Sequence, residues 1–391
     1  MTSAPNADRR PLGNQPLIRK WYFSLSEASI NRKDHGWRAL TRVAVTSALR
    51  NTSLHPCMLY DGEEGEFTAE IRAMGATVIT HRVSFHDHLV QAAPARTADY
   101  LGIARGAFLR VEIPLIERED DFVLFTDCDV MFLADPRIEA APALFAAAPQ
   151  ATQTAYDIDM NTGVMVMNVP ALRATLPHFI AFIIKHLPDG WPGFDQENYR
   201  RFYKGQWDKL DNTFNWKPYW GRNPSATIVH WHGPKPQIVR RLLHDGTLET
   251  HAVWRALFER DIDGYREFLR IWDTFAEKTP RDILGHLDYL TARGVGGWAI
   301  CPDDPLRPVH LTIVIDGNVH GVVACDARRP DIKTAYGIEA AGFSFQLPPM
   351  VDDDRPHKLQ FLDEMGRPVF LKRGRDTHQQ HWHLESEKLT V

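Results

Sequence analysis

One segment of the chain places four consecutive apolar residues directly before two acidic ones. The run at 122–125 (Phe-Val-Leu-Phe) is typical of a strand that is buried on both faces of an α/β sheet. Asp127 and Asp129 follow two positions apart, so in extended chain their side chains point to the same side. Ligands of open α/β sheets bind beyond the carboxyl ends of the strands. The segment therefore predicts both this type of sheet and a ligand site at its edge.

Two carboxylates side by side repel each other unless a cation lies between or beside them. A solvated acidic turn is the alternative, since Asp-x-Asp occurs often by chance. Apolar runs at 122–125 and 130–133 flank the pair on both sides. Carboxylates so close to a core need compensation, and a divalent metal with oxygen ligands is the usual one.

The 391 residues suffice for two or three domains. With 44% apolar and 24% charged residues, the composition is that of a soluble globular protein, and the net charge of −5 gives no support to nucleic-acid binding. We find neither an apolar run long enough for a transmembrane helix nor a secretory signal near the N-terminus. Four scattered cysteines without a Cys-x-x-Cys motif favour unpaired thiols and a cytoplasmic location. Peripheral association with a membrane stays compatible with this composition.

Alternating strands and helices in the first half of the chain predict a parallel, doubly wound α/β sheet. Strands are predicted at 21–26, 57–60, 77–80, 122–125 and 164–169. Helices are predicted at 34–50, 67–74, 98–116, 136–148 and 172–187. The helix at 136–148 is predicted from its alanine content, and Asn161, Thr162 and Gly163 are interpreted as a polar, flexible lead into the last strand.

The second half of the chain changes character twice. Residues 237–283 have the apolar spacing of amphipathic helices, and after Gly285 short apolar runs alternate with turns. Those runs, at 297–300, 311–315, 319–324, 342–347, 358–361 and 369–371, predict a small antiparallel β-sandwich. Packing or self-association is its simplest role, and carbohydrate binding is the sharper alternative. The histidines at 378, 381 and 383 are assigned to a solvated tail.

We therefore predict a disordered N-terminus, a catalytic α/β domain, a helical segment packed on it, a smaller all-β sandwich domain and a tail. Their predicted bounds are 1–18, 19–236, 237–284, 285–375 and 376–391.

Two further groups of polar residues lie downstream of the acid pair. Asp195 and Gln196 stand at a predicted helix start, where a capping role is the alternative for the carboxylate. His230, His232 and Lys235 cluster where a strand runs into a tight turn. An imidazole readily joins carboxylates at a manganese-type site, and a lysine beside bound metal suits a diphosphate. Three ordinary surface side chains are the alternative.

Taken in order, these motifs resemble the glycogenin and lipopolysaccharide-galactosyltransferase family, glycosyltransferase family eight, which has the GT-A fold. The resemblance covers roughly residues 20–240. It rests on the Asp-x-Asp pair, the Asn-x-Gly-Val segment, the Asp-Gln pair and the His-x-x-Gly-x-Lys-Pro turn, which are weak singly and specific together. Gln237 stands where the family usually carries Trp. The C-terminal sandwich resembles small β-domains appended to bacterial glycosyltransferases.

The resemblance implies a transferase that moves a hexose from a UDP-sugar to a glycan or glycolipid, with retention, in bacterial surface polysaccharide or lipopolysaccharide synthesis. It implies Mn²⁺ (or Mg²⁺) held by Asp127, Asp129 and His230. His230 is preferred over His232 because the family's ligand lies three residues before the glycine. Asp195 and Gln196 become the catalytic candidates. Donor-binding roles are implied for Arg110, Asp127, Asn161, Thr162, Gly163, Asn215, Gly233 and Lys235.

The chemistry of the reaction agrees with this resemblance. Glycosyl transfer passes through an oxocarbenium-like state, and the departing diphosphate gathers negative charge that a metal and a lysine stabilise. Retention leaves two mechanisms open, a nucleophilic Asp195 or a same-face reaction in which the leaving phosphate deprotonates the acceptor. Two other functions compete: a non-catalytic glycan-binding protein that works through the sandwich, and a sugar nucleotidyltransferase. The last ranks lowest because residues 24–34 are not glycine-rich.

Overall fold

The structure is a computed structural model. It describes residues 18–32, 36–139, 141–157, 159–190, 194–246, 251–291, 293–348, 356–373 and 382–384. Of the predicted disordered N-terminus, residues 1–17 lie outside the described residues. The histidines at 378 and 381 lie outside them as well. The chain divides into two compact units. The first is Met1–Arg32, Leu40–Pro234 and His251–Glu277, and the second is Lys33–Ala39, Lys235–Thr250 and Lys278–Val391. The predicted domain bounds stay a prediction.

A seven-stranded sheet forms the centre of the first unit. The strands of this unit are β1 (Lys20–Ser26), β2 (His55–Asp61), β3 (Thr77–Thr80), β4 (Phe122–Thr126), β5 (Val130–Phe132), β6 (Phe145–Pro149), β7 (Met160–Asn168), β8 (Asp208–Lys209) and β9 (Ile228–His230). The sheet order is β3-β2-β1-β4-β7-β6-β8, and β5 pairs separately with β9. The first four strands in this order are parallel, whereas β7 is antiparallel to both of its neighbours.

Helices connect these strands and continue into the middle of the chain. They are α1 (Glu27–Ile30), α2 (Trp37–Asn51), α3 (Glu66–Ala73), α4 (His86–Ala92), α5 (Tyr100–Ala107), α6 (Ile113–Ile116), α7 (Val169–His186), α8 (Phe194–Tyr203), α9 (Pro236–His244), α10 (Ala252–Arg260) and α11 (Ile262–Ala276). Among the described residues, no helix combines the length and apolar character that crossing a membrane would take.

The core of the first unit explains why β4 reads as a continuous apolar run. Val123, Leu124 and Phe125 have no exposed surface, because elements cover both faces of the sheet. On β6, the Phe145 ring lies edge-on to the rings of Tyr199 and Tyr203 of α8, each at a centroid distance of 5.4 Å. The predicted α/β class is confirmed.

Three local predictions in this unit need correction. The helix predicted at 136–148 is wrong: its last residues begin β6, where three buried alanines pair with β7 and tertiary packing overrides alanine's helix propensity. Asn161 to Gly163 lie inside β7 and are no flexible lead. The helix predicted at 98–116 is divided into α5, a 3₁₀ turn at Phe108–Glu112 and α6.

Two sheets make up most of the second unit. Its strands are β10 (Leu284–Leu290), β11 (Gly294–Ile300), β12 (Val309–Ile315), β13 (Asn318–Cys325), β14 (Ala327–Arg328), β15 (Ala340–Gln346), β16 (His357–Leu362), β17 (Lys372–Arg373) and β18 (Trp382–Leu384), with helix α12 (Pro330–Tyr336). The sheet orders are β14-β15-β11-β10-β17 and β13-β12-β16-β18.

These two sheets share one apolar core. Val295 and Phe343 of the first sheet belong to the same buried cluster as Leu311 and Phe361 of the second. The predicted β-sheets of this part are therefore confirmed, whereas its description as an all-β sandwich domain stays a prediction. The strand predicted at 369–371 is wrong: the Val369 N–H donates to the Phe361 carbonyl at 2.8 Å, but no strand forms there and the next one is β17. Helix α12 was not predicted, and β18 forms within the predicted tail by pairing with β16. The four cysteines are free, as predicted, and buried.

Candidate functional site

The acid pair lies immediately beyond the carboxyl end of β4. The Asp127 N–H donates to the Gly163 carbonyl of β7 at 2.9 Å, and the Trp231 N–H donates to the Asp129 carbonyl at 2.8 Å. The β5–β9 pair sets Val130 opposite His230. Backbone pairing thus brings the His230 imidazole, which is distant in sequence, beside the carboxylates of Asp127 and Asp129.

Asp127, Asp129 and His230 each offer one ligand atom, and these atoms all lie within 4.8 Å of one another. The His230 Nε2 is 3.4 Å from the Asp129 Oδ1 and 3.7 Å from the Asp127 Oδ2. Opposite ligands of an octahedral ion with bonds of about 2.0–2.6 Å lie roughly 4–5 Å apart, so one ion can span the group. Two carboxylates and an imidazole are also a donor set that divalent metals accept. The residues therefore fit a divalent cation.

Arg110 is a buried cation beside this cluster. Its Nη2 donates to the Asp127 Oδ1 at 2.5 Å and its Nη1 donates to the Thr162 carbonyl at 2.6 Å. Its Nε lies 3.2 Å from the Asp195 Oδ2, and the guanidinium lies 4.4 Å from the Phe125 ring centroid. Burial by itself would lower the pKa of Arg110, but the two aspartates outweigh it and raise that pKa. Arg110 thus stays charged and holds the carboxylates of Asp127 and Asp195 in position.

Asp195 lies in the first turn of α8, as predicted from its place at a helix start. Its side chain is buried, and burial raises its pKa to about 6, with the Asp127 charge acting in the same direction. Arg110 and the Thr162 hydroxyl, which donates to the Asp195 Oδ2 at 2.9 Å, oppose this rise. The carboxylate therefore belongs to the polar interior of the site.

A chain of amide side chains connects α8 with His230. The Gln196 Oε1 accepts from the Thr162 N–H at 3.1 Å and from the Asn161 Nδ2 at 3.0 Å. The Asn215 Nδ2 donates to the Asn161 Oδ1 at 3.0 Å, and the Asn215 Oδ1 lies 3.1 Å from the His230 Nδ1. The predicted residues Asn161, Thr162, Gln196 and Asn215 therefore meet in one network that ends at the imidazole of His230.

Gly163 lies directly against the His230 ring. A Cβ added at Gly163 would stand 2.2 Å from the His230 Cε1 and 2.8 Å from the Asn161 Oδ1. Both neighbours are buried, so neither can move without displacing other groups of the site. Any side chain at this position would push the imidazole away from the carboxylates, whereas the predicted contact of Gly163 with a donor stays a prediction.

The remaining predicted residues lie in the turn after β9. Gly233 has a φ of 101°, the left-handed region that favours glycine. The His232 Nδ1 lies 3.1 Å from the Tyr219 hydroxyl, and the His232 ring centroid lies 5.7 Å from that of His230. Lys235 belongs to the second unit, where its ammonium lies 5.8 Å from the Trp37 ring centroid. Donor binding by Gly233 and Lys235 stays a prediction.

Two residues at the site were missed from the sequence. The Gln150 Oε1 accepts from the Gln196 Nε2 at 2.5 Å, and its carbonyl accepts from the Tyr219 hydroxyl at 2.7 Å. The Lys217 Nζ donates to the Pro149 carbonyl at 2.8 Å, and full burial lowers the pKa of Lys217 well below its usual value. Neither lies in a motif: Gln150 meets Gln196 of α8 just after β6 ends, and Lys217 meets the last residue of β6.

No family model and no curated protein sequence matches the chain. Solved structures do match. The glycosyltransferase GlyE of Streptococcus pneumoniae TIGR4 is 17% identical, with 66% of this chain and 64% of that chain covered and a TM-score of 0.42. The galactosyltransferase LgtC, solved in complex with donor and acceptor sugar analogs, is 15% identical, with 61% and 99% covered and a TM-score of 0.43. Mouse xyloside xylosyltransferase 1 is 16% identical, with 55% and 97% covered and a TM-score of 0.40.

This chain spans less than two thirds of the length of GlyE. At such identities and TM-scores, the likeness establishes neither the family nor the activity of this chain.

Proposed function

We propose that this protein is a metal-dependent glycosyltransferase of the GT-A type, which transfers a hexose from a UDP-sugar to a glycan or glycolipid acceptor. Asp127, Asp129 and His230 would hold Mn²⁺ or Mg²⁺. One observation carries the proposal: three side chains with the chemistry of a divalent-metal site converge at the carboxyl end of β4, where α/β sheets bind their ligands. We place the reaction in bacterial surface polysaccharide or lipopolysaccharide synthesis, with retention.

The leaving diphosphate explains why the reaction needs this site. When bound, the metal supplies positive charge where the departing oxygen becomes negative. Arg110 keeps Asp127 in place by binding its Oδ1, so that the Oδ2 faces His230. Lys235 is proposed to add a second positive charge for the diphosphate.

Asp195 and Gln196 are proposed to contact the donor sugar. The Asp195 Oδ2 accepts from the Thr162 hydroxyl and lies 3.2 Å from Arg110. Both contacts fall on the same oxygen, so this oxygen is not free to attack a sugar carbon. This favours the same-face mechanism over a covalent intermediate at Asp195.

The test is UDP release from a panel of UDP-hexoses, with Mn²⁺ and with a chelator. We expect turnover that requires the metal and that falls by about 10²–10³ in Asp129→Asn, the loss typical of removing a group that stabilises transition-state charge. Asp87→Asn is the matched control, since Asp87 is exposed on α4. Full turnover by Asp129→Asn would refute the metal site. Glycan binding without UDP release from any donor would favour the binding-protein alternative.

A further inference from the structure

We infer that Gln196, Asn161 and Asn215 form a one-directional chain of hydrogen bonds that determines which nitrogen of His230 carries its proton. The chain leaves the proton on Nδ1 and keeps the lone pair of Nε2 toward the two carboxylates. These amides are positioning residues for the metal ligand, although none is itself a member of the cluster. The inference concerns the metal site on which the proposed function rests.

The direction of the chain is set by a backbone group. The Thr162 N–H can only donate, and the atom it meets is the Gln196 Oε1 at 3.1 Å. The amide of Gln196 therefore has one permitted orientation, with its oxygen toward β7. Its Nε2 then points the other way and donates to the Gln150 Oε1 at 2.5 Å.

This orientation passes to the next two amides. The Gln196 Oε1 is an acceptor, so Asn161 must present its Nδ2 to it, at 3.0 Å. The Asn161 Oδ1 then faces Asn215 and requires a donor, which is the Asn215 Nδ2 at 3.0 Å. Each amide has only one oxygen and one NH₂ group, so fixing one end fixes the other.

The last step reaches the imidazole. With its Nδ2 engaged, Asn215 presents its Oδ1 to the His230 Nδ1 at 3.1 Å. An amide oxygen accepts, so the Nδ1 must carry the hydrogen. In a neutral imidazole the Nε2 is then unprotonated, and this is the atom that lies 3.4 Å from Asp129 and 3.7 Å from Asp127. A metal binds the unprotonated nitrogen, and its partner on the other nitrogen holds the ring in place.

Reversing the chain is unfavourable because all three amides would have to flip together. The final flip would place the Gln196 Nε2 against the Thr162 N–H and leave a buried backbone donor without an acceptor. Asn215 has no exposed surface, and Asn161 and Thr162 are 4% and 3% exposed, so solvent has little access to replace the lost bond. A single flip within the chain would instead oppose two oxygens or two NH₂ groups.

The first experiment reads the proton directly in the intact, metal-free protein. Long-range ¹H–¹⁵N correlation of ¹⁵N-histidine-labelled protein distinguishes the two neutral tautomers, and His230→Gln identifies the signal by its loss. We expect a proton on the His230 Nδ1, whether the ring is neutral or, beside the two carboxylates, doubly protonated. An Nδ1 without a proton would overturn the inference without any need for activity.

The second experiment uses a residue that does not touch His230. Gln196→Met removes the acceptor that anchors the chain, whereas Gln196→Glu keeps an oxygen toward Thr162 and Asn161. We expect Gln196→Met to give mixed His230 tautomers and about a tenfold weaker Mn²⁺ affinity by calorimetry, as for other partners of metal-bound histidines. Gln196→Glu should keep the wild-type tautomer. A His230 signal that is identical in both variants and wild type would overturn the chain.

The third experiment removes the partner of the imidazole. Asn215→Leu should weaken Mn²⁺ binding about 10–100-fold. Asn198→Leu is the matched control: Asn198 is a buried asparagine whose Nδ2 donates to the Phe194 carbonyl, outside the chain. We expect it to keep the wild-type Mn²⁺ affinity and His230 tautomer. Equal losses of affinity in the two variants would overturn the positioning role.

The outcomes also separate this inference from the proposed function. If Asn215→Leu does not fold, the wild-type spectrum and the comparison of Gln196→Met with Gln196→Glu still test the inference. A protein that binds Mn²⁺ with an Nδ1–H His230 but releases no UDP would support the chain and refute the transferase. A protein that releases UDP but whose His230 carries no proton on Nδ1 would refute the chain and support the transferase.

Discussion

The two units differ in where they bury polar side chains. In the first, Arg110, Asp129, Asp195, Lys217 and His230 are all buried near the carboxyl end of β4 or the adjoining turn. Such groups are costly to bury unless each is paired. Glu112 and Glu117 are buried elsewhere in this unit, but five such groups around one candidate site indicate that its surroundings are shaped by chemistry as well as by packing.

The two-sheet part of the second unit has a different interior. Its shared core consists of apolar side chains. From 284 onward, the buried polar side chains of the described residues are His357 and Asp363. His357 lies 2.7 Å from Asp316, and Asp363 binds Arg367, so both are held by local surface partners. The first unit thus buries ionisable groups beside the candidate site, whereas the two-sheet part of the second unit buries apolar side chains that stabilise its fold. Four predictions test this difference.

The largest effect is expected from Leu311→Ala in the shared core of the two sheets. Leu311 has no exposed surface, so the truncation should lower the free energy of unfolding by about 2–5 kcal/mol. Denaturant unfolding measures this loss. The folded variant should keep its Mn²⁺ affinity because Leu311 packs within its own cluster. A weakened affinity would break the contrast between the units.

The next largest effect is expected from Gly163→Ala, which should weaken Mn²⁺ binding while the protein still folds. The added methyl group meets the His230 ring, and overpacking of this kind typically costs about 1–3 kcal/mol. We expect weaker Mn²⁺ binding by calorimetry together with this loss of stability. Gly246→Ala is the control, because a Cβ at Gly246 meets no atom of the described residues within 4 Å. Wild-type Mn²⁺ affinity in Gly163→Ala would contradict the described contact.

A smaller effect is expected in the pH dependence of stability. Burial raises the pKa of Asp195 from 3.8 to about 6, so the folded chain binds this proton more tightly than the unfolded chain does. The associated stability is present at low pH and is lost as pH rises toward about 6. Urea unfolding of wild type should show this fall relative to Asp195→Asn. Parallel curves for the two proteins would contradict it.

The smallest effect is expected from Val322→Thr on β13. Val322 is 62% exposed, and threonine keeps the β-branched shape that suits a strand. The free energy of unfolding should change by less than about 0.5 kcal/mol, as measured by denaturant unfolding. A larger loss would show that this face is covered in solution.

The sequence predicted those parts of the site whose residues are close along the chain. The apolar run of β4 and the acids after it lie within eight residues, so strand, strand end and ligands could be read together. His230 was reached through its motif rather than through its distance from Asp127. The α/β class followed in the same way, from the alternation of helices and strands.

What could not be predicted depends on pairing between distant segments. The alanines of β6 favour a helix locally, and only the register with β7 makes them a strand. Gln150 and Lys217 gain their partners from that same register and from the turn that follows β8. The orientation of the Asn161 and Asn215 amides likewise arises from contacts across more than 50 residues.

Arg110 also limits how many oxygens Asp127 can give a cation. Its Nη2 donates to the Oδ1, so the Oδ2 is the oxygen that Asp127 would offer first to a cation beside His230. Even with both oxygens of Asp129 and the single nitrogen of His230, an octahedral ion would keep at least two of about six coordination positions free. Under the proposed function, these free positions are where the phosphate oxygens of the donor would bind.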